Sequence, residues 1–375
     1  MIYLDNAATT KPYLEALEYA NKFNIEYFFN PSALYRQGLD VSKELKVTKD
    51  KILKFLGVTS SDYDVIFTSC GSESNNTAIF CSVKRGVFVT DMGEHAAVYK
   101  CFQELKNRGA IVDFISLNND GKVNEEELYD YLKYNKTDFV SIMHVNNETG
   151  AINDVNKIAQ TVKSINPSTI FHCDGVQAFG KLPYRLSRFI DFYSISAHKI
   201  NAIKGVGVLV RNKKAKLSPL IYGGGQESGY RSGTENVFGI KVFEKAMDLH
   251  YASIKENFDK VLAIKNYVID NLDKNLFKII SSSDSSPYIL SISAVGLKGE
   301  IMMHLLEDKG IIVGNGSACS SKNPFSRVIS SCGYKKDVLD GVIRVSFSAE
   351  NTLSEAEFVV NELNENASRL KGLMK

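Results

Sequence analysis

The sequence predicts an α/β fold, with a large domain built on a mostly parallel sheet and a smaller α+β domain. Between about residues 62 and 211, short apolar runs alternate with amphipathic stretches, which is typical of a parallel sheet with helices on both faces. Beyond about residue 260, strand-like and helix-like stretches are mixed. The chain has 375 residues, enough for one large and one smaller unit. We expect the large domain to span residues 12–258 and the small domain to combine residues 1–11 with 259–375.

The individual elements follow from hydrophobic periodicity. Apolar runs predict buried strands at residues 65–67, 87–89, 111–114, 139–143, 170–173, 192–195 and 206–210. Amphipathic stretches predict helices at residues 75–84, 97–108, 125–133 and 154–164. A long helix is expected to begin near Asn236 and to run past Phe258. In the second unit we expect strands at residues 289–292 and 343–347 and helices at residues 299–309 and 354–373.

Composition excludes several classes of partner. The formal net charge is +2, so no strong field favours nucleic acid or an anionic membrane. No apolar run reaches the roughly 20 residues of a membrane span, and the first residues lack the pattern of a signal peptide. The six cysteines form no C-x-x-C pair and no zinc-type spacing. We therefore expect a cytoplasmic protein with free thiols and no metal site.

The residues that follow the strands are informative, because ligands of open α/β sheets bind beyond the carboxyl ends of the strands. After the strand at 65–67 come small and hydroxyl residues, including Gly71 and Ser72, and then a helix. Backbone N–H groups and the positive end of a helix dipole make such a segment an anion site suited to phosphate. A tight turn with a serine N-cap is the alternative interpretation.

Two later strand ends carry an acid and a lysine. Asp174 and Gln177 follow the strand at 170–173, and Ser196, His198 and Lys199 follow the strand at 192–195. An acid at a strand end can pair with a cationic ring nitrogen. A lysine beside hydroxyl and imidazole donors can form a Schiff base while its neighbours hold a phosphate.

Two further strand ends complete the set. His95 follows the strand at 87–89, and the pair Asn146 and Asn147 follows the strand at 139–143. Each has a structural alternative, since a histidine there is often a surface group and asparagines often cap the next helix. Taken together, these strand ends supply an imine lysine, an acid, a phosphate cradle, donors to a ring oxygen and a stacking ring. These are the groups that a pyridoxal 5′-phosphate (PLP) site requires.

The same segments resemble those of a known family. They are residues 4–10 (Leu-Asp-Asn-Ala-Ala-Thr-Thr), 30–32 (Asn-Pro-Ser), 69–76, 94–95 (Glu-His), 146–150 (Asn-Asn-Glu-Thr-Gly), 196–199 (Ser-Ala-His-Lys), 231–236 (Arg-Ser-Gly-Thr-Glu-Asn) and 316–321 (Gly-Ser-Ala-Cys-Ser-Ser). In this order, over nearly the whole chain, they resemble the NifS/IscS cysteine desulfurases. The last segment resembles group I members rather than the SufS-like group II.

The resemblance implies a PLP-dependent transferase of fold type I that works as a homodimer. It implies that Lys199 forms the Schiff base with PLP, that Asp174 pairs with the pyridine nitrogen and that His95 stacks on the ring and carries protons. The other cofactor-binding residues implied are Asn147 and Gln177 at the phenolic oxygen, and Gly71, Ser72, Ser196 and His198 at the phosphate, with Thr234 contributed by the partner subunit. The substrate-binding residues implied are Asn6, Ala7 and Arg344, the last as a fork on the substrate carboxylate.

Four positions depart from the family pattern. Ser72 stands where threonine is usual and keeps the hydroxyl. Gly175 stands where an alanine usually packs on the cofactor ring, so we expect looser packing on that face. Tyr35 stands where histidine is common, and Asn315 stands where serine is usual. The chain also ends sooner after Cys319 than housekeeping IscS-like enzymes do, so partner contacts of their longer tail are not carried over.

The function implied is removal of sulfur from L-cysteine, which yields L-alanine and a persulfide on Cys319. Small polar residues flank Cys319 and predict a mobile loop, whereas Cys70, near the phosphate turn, is a weaker candidate. The sulfur would serve iron–sulfur cluster assembly or the thiolation of a cofactor or tRNA. The acceptor would be a NifU/IscU-like scaffold or a tRNA-thiolation sulfurtransferase. The alternatives are a PLP-dependent cysteine or selenocysteine lyase, an aminotransferase, and a catalytically weak member that serves mainly as a docking platform for a sulfur acceptor.

Overall fold

The computed structural model describes residues 1–315 and 325–374. The strands are β1 (Ile2–Leu4), β2 (Tyr63–Thr68), β3 (Val87–Asp91), β4 (Ile111–Ile115), β5 (Phe139–Ser141), β6 (Ile170–Asp174), β7 (Phe192–Ser196), β8 (Gly207–Asn212), β9 (Phe277–Ile279), β10 (Ile289–Ala294), β11 (Ile311–Asn315) and β12 (Val342–Ser346). The helices are α1 (Leu14–Glu26), α2 (Arg36–Phe55), α3 (Gly71–Ser82), α4 (Ala96–Asn107), α5 (Glu125–Tyr134), α6 (Val155–Ile165), α7 (Val237–Ala252), α8 (Ile254–Asn271), α9 (Gly299–Glu307), α10 (Arg327–Ser331), α11 (Lys336–Leu339) and α12 (Leu353–Leu373).

The larger sheet has seven strands in the order β2-β8-β7-β6-β5-β3-β4. The five strands from β7 to β4 are parallel to one another, and β8 runs antiparallel to both of its neighbours. Strands β5, β7 and β8 are buried along their whole length, because helices cover both faces of the sheet. This burial explains why these strands are continuous apolar runs in the sequence. The predicted mostly parallel α/β sheet is confirmed.

The smaller sheet has five strands in the order β1-β11-β12-β10-β9. The first strand of the chain, β1, pairs in parallel with β11, and the remaining pairs are antiparallel. The chain therefore begins in the sheet that its last third builds, and then crosses to the larger sheet. The predicted domain boundary between residues 258 and 259 falls inside α8, which packs against α12. The domain boundaries stay a prediction.

Some elements differ from the sequence prediction. The helix expected from Asn236 past Phe258 is divided at Ser253, whose backbone leaves the helical region and separates α7 from α8. Helix α3 begins at Gly71, four residues before the predicted start at Asn75. Its first turns are polar but lie against the sheet, so apolar periodicity does not reveal them.

Among residues 1–315 and 325–374, no helix has both the length and the apolar composition that crossing a bilayer requires.

Candidate active site

A cavity of about 360 Å³ opens at the carboxyl ends of β2, β6 and β7. Its wall is completed from the smaller sheet by the segment that follows β1 and by one side chain of β12. The lining residues are Ala7, Ala8, Cys70, Gly71, Ser72, Asn75, His95, Met143, Asn147, Asp174, Val176, Gln177, Ser196, His198, Lys199 and Arg344. Most of the predicted site residues therefore meet in one place, as expected for the strand ends of an open α/β sheet.

Two predicted residues lie outside the cavity lining, and a third is not among the described residues. Asn6 is buried beneath the cavity wall, where its side chain donates to the Ser346 carbonyl at 3.0 Å. Thr234 is exposed and lines a separate small cleft. Cys319 lies outside the described residues.

Asp174, the last residue of β6, is held by hydrogen bonds to both of its carboxylate oxygens. Asn75 Nδ2 donates to Oδ2 at 2.7 Å, and the Val176 N–H donates to Oδ1 at 3.0 Å. Only about 4% of Asp174 is exposed. A fixed, shielded carboxylate of this kind stabilises a cationic partner, because opposite charges at close range favour the protonated base.

Lys199 projects from the short 3-10 turn that follows β7. Its Nζ donates to the carbonyl oxygens of Ala7 and Ala8 at 2.6 and 2.7 Å. Burial, followed by the charge of Arg344, lowers the pKa of Lys199 to about 8. The amine is therefore deprotonated far more readily than a surface lysine, and the neutral amine is the form that attacks carbonyl groups.

The N-terminus of α3 provides an anion site. Gly71 and Ser72 form its first turn, whose N–H groups have no partner within the helix. A Cβ at Gly71 would lie 2.9 Å from Val176 Cγ2 and 3.3 Å from Ser196 Cβ, so only glycine fits. Ser196 Oγ is buried and has no hydrogen-bond partner within the described chain. An unsatisfied hydroxyl beside free N–H groups matches what the phosphate of PLP needs.

His95 lines the cavity at the N-terminus of α4. Its Nδ1 accepts a hydrogen bond from the Ala97 N–H at 3.1 Å. A backbone N–H only donates, so the neutral ring carries its proton on Nε2. The ring has solvent access through the cavity, yet the surrounding protein lowers the pKa of His95, chiefly by desolvation. The imidazole is therefore neutral near pH 7.

Arg344 of β12 is fixed by two contacts. Nη1 donates to the Asn147 carbonyl at 2.9 Å, and Nη2 donates to Asp5 Oδ1 at 2.8 Å. Its Nε is buried without a partner among the described residues. Gly314 lies so close that a Cβ there would be 2.9 Å from Nη2. A guanidinium with a free donor at the cavity wall is suited to a carboxylate ligand.

The space that a Cβ at Gly175 would enter is already filled. A Cβ at this position would lie 2.0 Å from Cζ of Tyr193. The Tyr193 hydroxyl is bonded to His144 Nδ1 at 3.1 Å, and its ring stacks on Tyr184 with centroids 5.8 Å apart. A large side chain on β7 has therefore taken the volume that an alanine methyl would occupy.

The sequence prediction assigned no role to Asn75 or Arg327. Asn75 is one helical turn beyond Ser72 on α3, and this i, i+3 spacing could have placed it beside the strand end at Asp174. Arg327 donates to the carbonyls of Met92 and Glu94 and stacks over the Tyr99 ring at 3.8 Å. It ties α10 to the turn that carries His95, a long-range contact that no local pattern indicates.

The cysteines of the described ranges are free thiols. Cys101, Cys173 and Cys332 are buried, and Cys81 is half-buried. Cys70 is half-buried and lines the cavity.

Comparisons with known proteins agree over the whole chain. Residues 2–359 match the aminotransferase class-V family. A "NifS/IcsS protein homolog" of Lactobacillus delbrueckii subsp. bulgaricus is 35% identical, with all of both chains covered. A "cysteine desulfurase" of Trichormus azollae is 33% identical over all of this chain and 94% of the relative. A solved structure titled "NifS-like protein" superposes with a TM-score of 0.90 at 32% identity, covering 98% of this chain and 99% of the other.

Proposed function

This chain belongs to the class-V aminotransferase family, among its NifS/IscS cysteine desulfurases, and we propose that it uses PLP to take sulfur from L-cysteine. L-alanine and a persulfide on Cys319 are the proposed products. The observation that carries the proposal is the convergence of the Lys199 amine and the Asp174 carboxylate on one cavity. The unsatisfied hydroxyl of Ser196, at the end of β7 and beside the start of α3, provides a donor for the phosphate.

The lining residues suit each part of the cofactor. In this assignment Lys199 binds the aldehyde carbon and Asp174 pairs with the pyridine nitrogen. Asn147 and Gln177 bind the phenolic oxygen. Phosphate-binding residues in this assignment are Gly71, Ser72, Ser196 and His198. When bound, PLP supplies an electron sink that makes the Cα–H bond of an amino acid acidic.

The side chains perform the remaining tasks. Lys199 Nζ, with its lowered pKa, takes up the Cα proton of cysteine. Arg344, which lines the cavity, orients the substrate carboxylate. His95 holds a transferable proton at Nε2, since Nδ1 is engaged by Ala97. The Cys319 thiolate attacks the substrate sulfur, so that the carbon–sulfur bond breaks and a sulfur–sulfur bond forms.

Product analysis tests the proposal. The purified protein with L-cysteine and a thiol reductant is expected to form alanine and sulfide in equal amounts. Lys199→Ala is expected to abolish both products, together with the visible absorbance of bound PLP. Cys319→Ser is expected to keep that absorbance and to lose turnover. Cys81→Ser is the matched control, because this half-buried thiol lies outside the cavity and is expected to keep full activity.

Two outcomes would contradict the assignment. Undiminished alanine formation by Cys319→Ser would exclude the persulfide step. Pyruvate in place of alanine would indicate a β-eliminating lyase, which has no need of Cys319.

We also propose a homodimer in which Thr234 reaches the phosphate site of the partner subunit. Support comes from the exposure of Thr234 and from exposed apolar side chains between α1 and α2, such as Phe28 at 71% and Leu34 at 91%. Light scattering after gel filtration measures the mass. A monomer with full activity would contradict this arrangement.

For the later steps, we propose a cytoplasmic location and transfer of the sulfur to a NifU/IscU-like scaffold or to a tRNA-thiolation sulfurtransferase. The location is supported by the free thiols of the described chain. Chasing sulfur-35 from labelled Cys319 onto each candidate acceptor distinguishes the two routes.

A further inference from the structure

Lys181 is a buried lysine in the turn that follows β6. About 4% of its surface is exposed. Its Nζ donates to Gln177 Oε1 at 3.1 Å and lies 5.8 Å from the centre of the Tyr288 ring. The charges that act on it come from Lys199 and Arg344, and no carboxylate of residues 1–315 or 325–374 offsets them.

A buried amine among other cations lowers the stability of the fold, so its presence indicates a functional role. Burial, followed by the charges of Lys199 and Arg344, lowers the pKa of Lys181 to about 7. An apolar side chain of similar length would fill the same space without the desolvation penalty. The polar end of Lys181 therefore needs an explanation beyond packing.

The explanation lies in the amide that it contacts. Gln177 has one accepting end and one donating end. Its Oε1 takes the hydrogen bond from Lys181, and its Nε2 donates to the Ala7 carbonyl at 2.8 Å. In its cationic form the lysine only donates, and a carbonyl only accepts, so both partners impose the same orientation on the amide. Gln177 is also part of the cavity wall, beside Lys199.

We propose that Lys181 is a positioning residue, which holds the Gln177 amide so that its donating end serves the phenolic oxygen of PLP. The inference rests on the proposed cofactor. Without Lys181 only the Ala7 carbonyl orients the amide, so a flip becomes easier, and a flipped amide brings its own oxygen towards an oxygen anion. The resulting repulsion raises the basicity of the cofactor-bound amine at Lys199.

The ionisable groups around Lys181 do not offer another explanation. Those that act on its titration or respond to it are Lys199, Arg344, His198 and His250. All four are bases and disfavour a cation at position 181, whereas the face of the Tyr288 ring, 5.8 Å from Nζ, attracts one but does not contact the Gln177 amide in a way that would orient it.

The test is a pH titration of the visible absorbance of the PLP-bound protein. Lys181→Met removes both a donor and a positive charge, and each loss favours the protonated form of the chromophore. We expect the midpoint to rise by roughly 1 pH unit. Lys265→Met is the matched control, since Lys265 is equally buried but bonds to Ser285 Oγ and the Ser286 carbonyl in the smaller domain. Its midpoint is expected to equal that of the wild type.

A double-mutant cycle separates positioning from simple charge. If Lys181 acts through Gln177, most of the shift by Lys181→Met disappears in the Gln177→Met background, where only the loss of charge remains. A shift by Lys181→Met of equal size in both backgrounds would overturn the inference, as would the absence of any shift in Lys181→Met.

Should Lys181→Met not fold, Lys181→Gln keeps N–H donors without the charge and is expected to shift the midpoint by clearly less than Gln177→Met does. A shift in Lys181→Gln as large as that in Gln177→Met would refute positioning. A wild-type protein that shows no PLP absorbance at all would overturn the proposed function, and this inference with it.

Discussion

Replacement of Gly175 by alanine tests how the fold around the cavity is packed. Gly175 follows Asp174, and the ideal Cβ position is 2.0 Å from Tyr193 Cζ, 2.2 Å from Cε1 and 2.4 Å from the hydroxyl oxygen. Ordinary contacts between carbon atoms are about 3.5–4.0 Å. The Tyr193 ring would therefore have to retreat by roughly 1.5 Å, although it is fully buried and stacked on Tyr184.

The expected loss of stability follows from two contributions. Forcing a methyl group into a filled core costs about 1–3 kcal/mol. Moving the ring also breaks the buried bond between the Tyr193 hydroxyl and His144, which contributes about 1 kcal/mol. The free energy of unfolding should fall by about 2–4 kcal/mol, which for a chain of 375 residues corresponds to a Tm lower by roughly 3–5 °C.

Thermal unfolding followed by circular dichroism measures the change. Gly372→Ala is the control, because a Cβ there meets nothing within 4 Å and an alanine within α12 is expected to be neutral or mildly stabilising. In a Tyr193→Met background, where the ring is absent, Gly175→Ala should cost almost nothing. An unchanged Tm for the single Gly175→Ala variant, or an equal loss in both backgrounds, would refute this packing argument.

Two further predictions concern the site and its surroundings. Arg344→Lys removes the planar fork and should lower kcat/KM for cysteine by about 10–100-fold, mainly through KM; initial rates of alanine formation measure this, and an unchanged KM would contradict the role of Arg344. Burial lowers the pKa of His172 to about 3, below the value of about 6.5 in an unfolded chain, so the unfolded state binds more protons between these two values. The stability that this neutral group contributes is therefore lost as pH falls below 6.5. His172→Gln should reduce the slope of the unfolding free energy against pH by up to about 1.4 kcal/mol per pH unit. Denaturant unfolding across this range measures the slope, and parallel curves for variant and wild type would show the histidine to be uninvolved.

The larger sheet was predictable because its strands are buried on both faces. Such strands are unbroken apolar runs, and Val65–Phe67 or Phe192–Ile195 can be recognised without knowing their neighbours. The topological rule for ligand sites then located Asp174 and Lys199 at adjacent strand ends. The family comparisons confirm the predicted fold class, cofactor and cysteine desulfurase function.

Other features depend on contacts that no local pattern contains. Strands β1 and β9 have three residues each, too few for a periodicity to emerge. The break at Ser253 lies within a sequence that favours helix on both sides. The fit between Gly175 and Tyr193, and the bond from Arg327 to the turn before His95, join residues far apart in the chain, so only the folded structure reveals them.

The pairing of β1 with β11 has a consequence for biosynthesis. Strand β11 is synthesised about 300 residues after β1, a delay of roughly 15–60 s at ordinary translation speeds. The carbonyls of Ala7 and Ala8, which hold the Lys199 amine, directly follow β1 in the chain. One wall of the pocket therefore adjoins a strand whose partner is synthesised after all seven strands of the larger sheet.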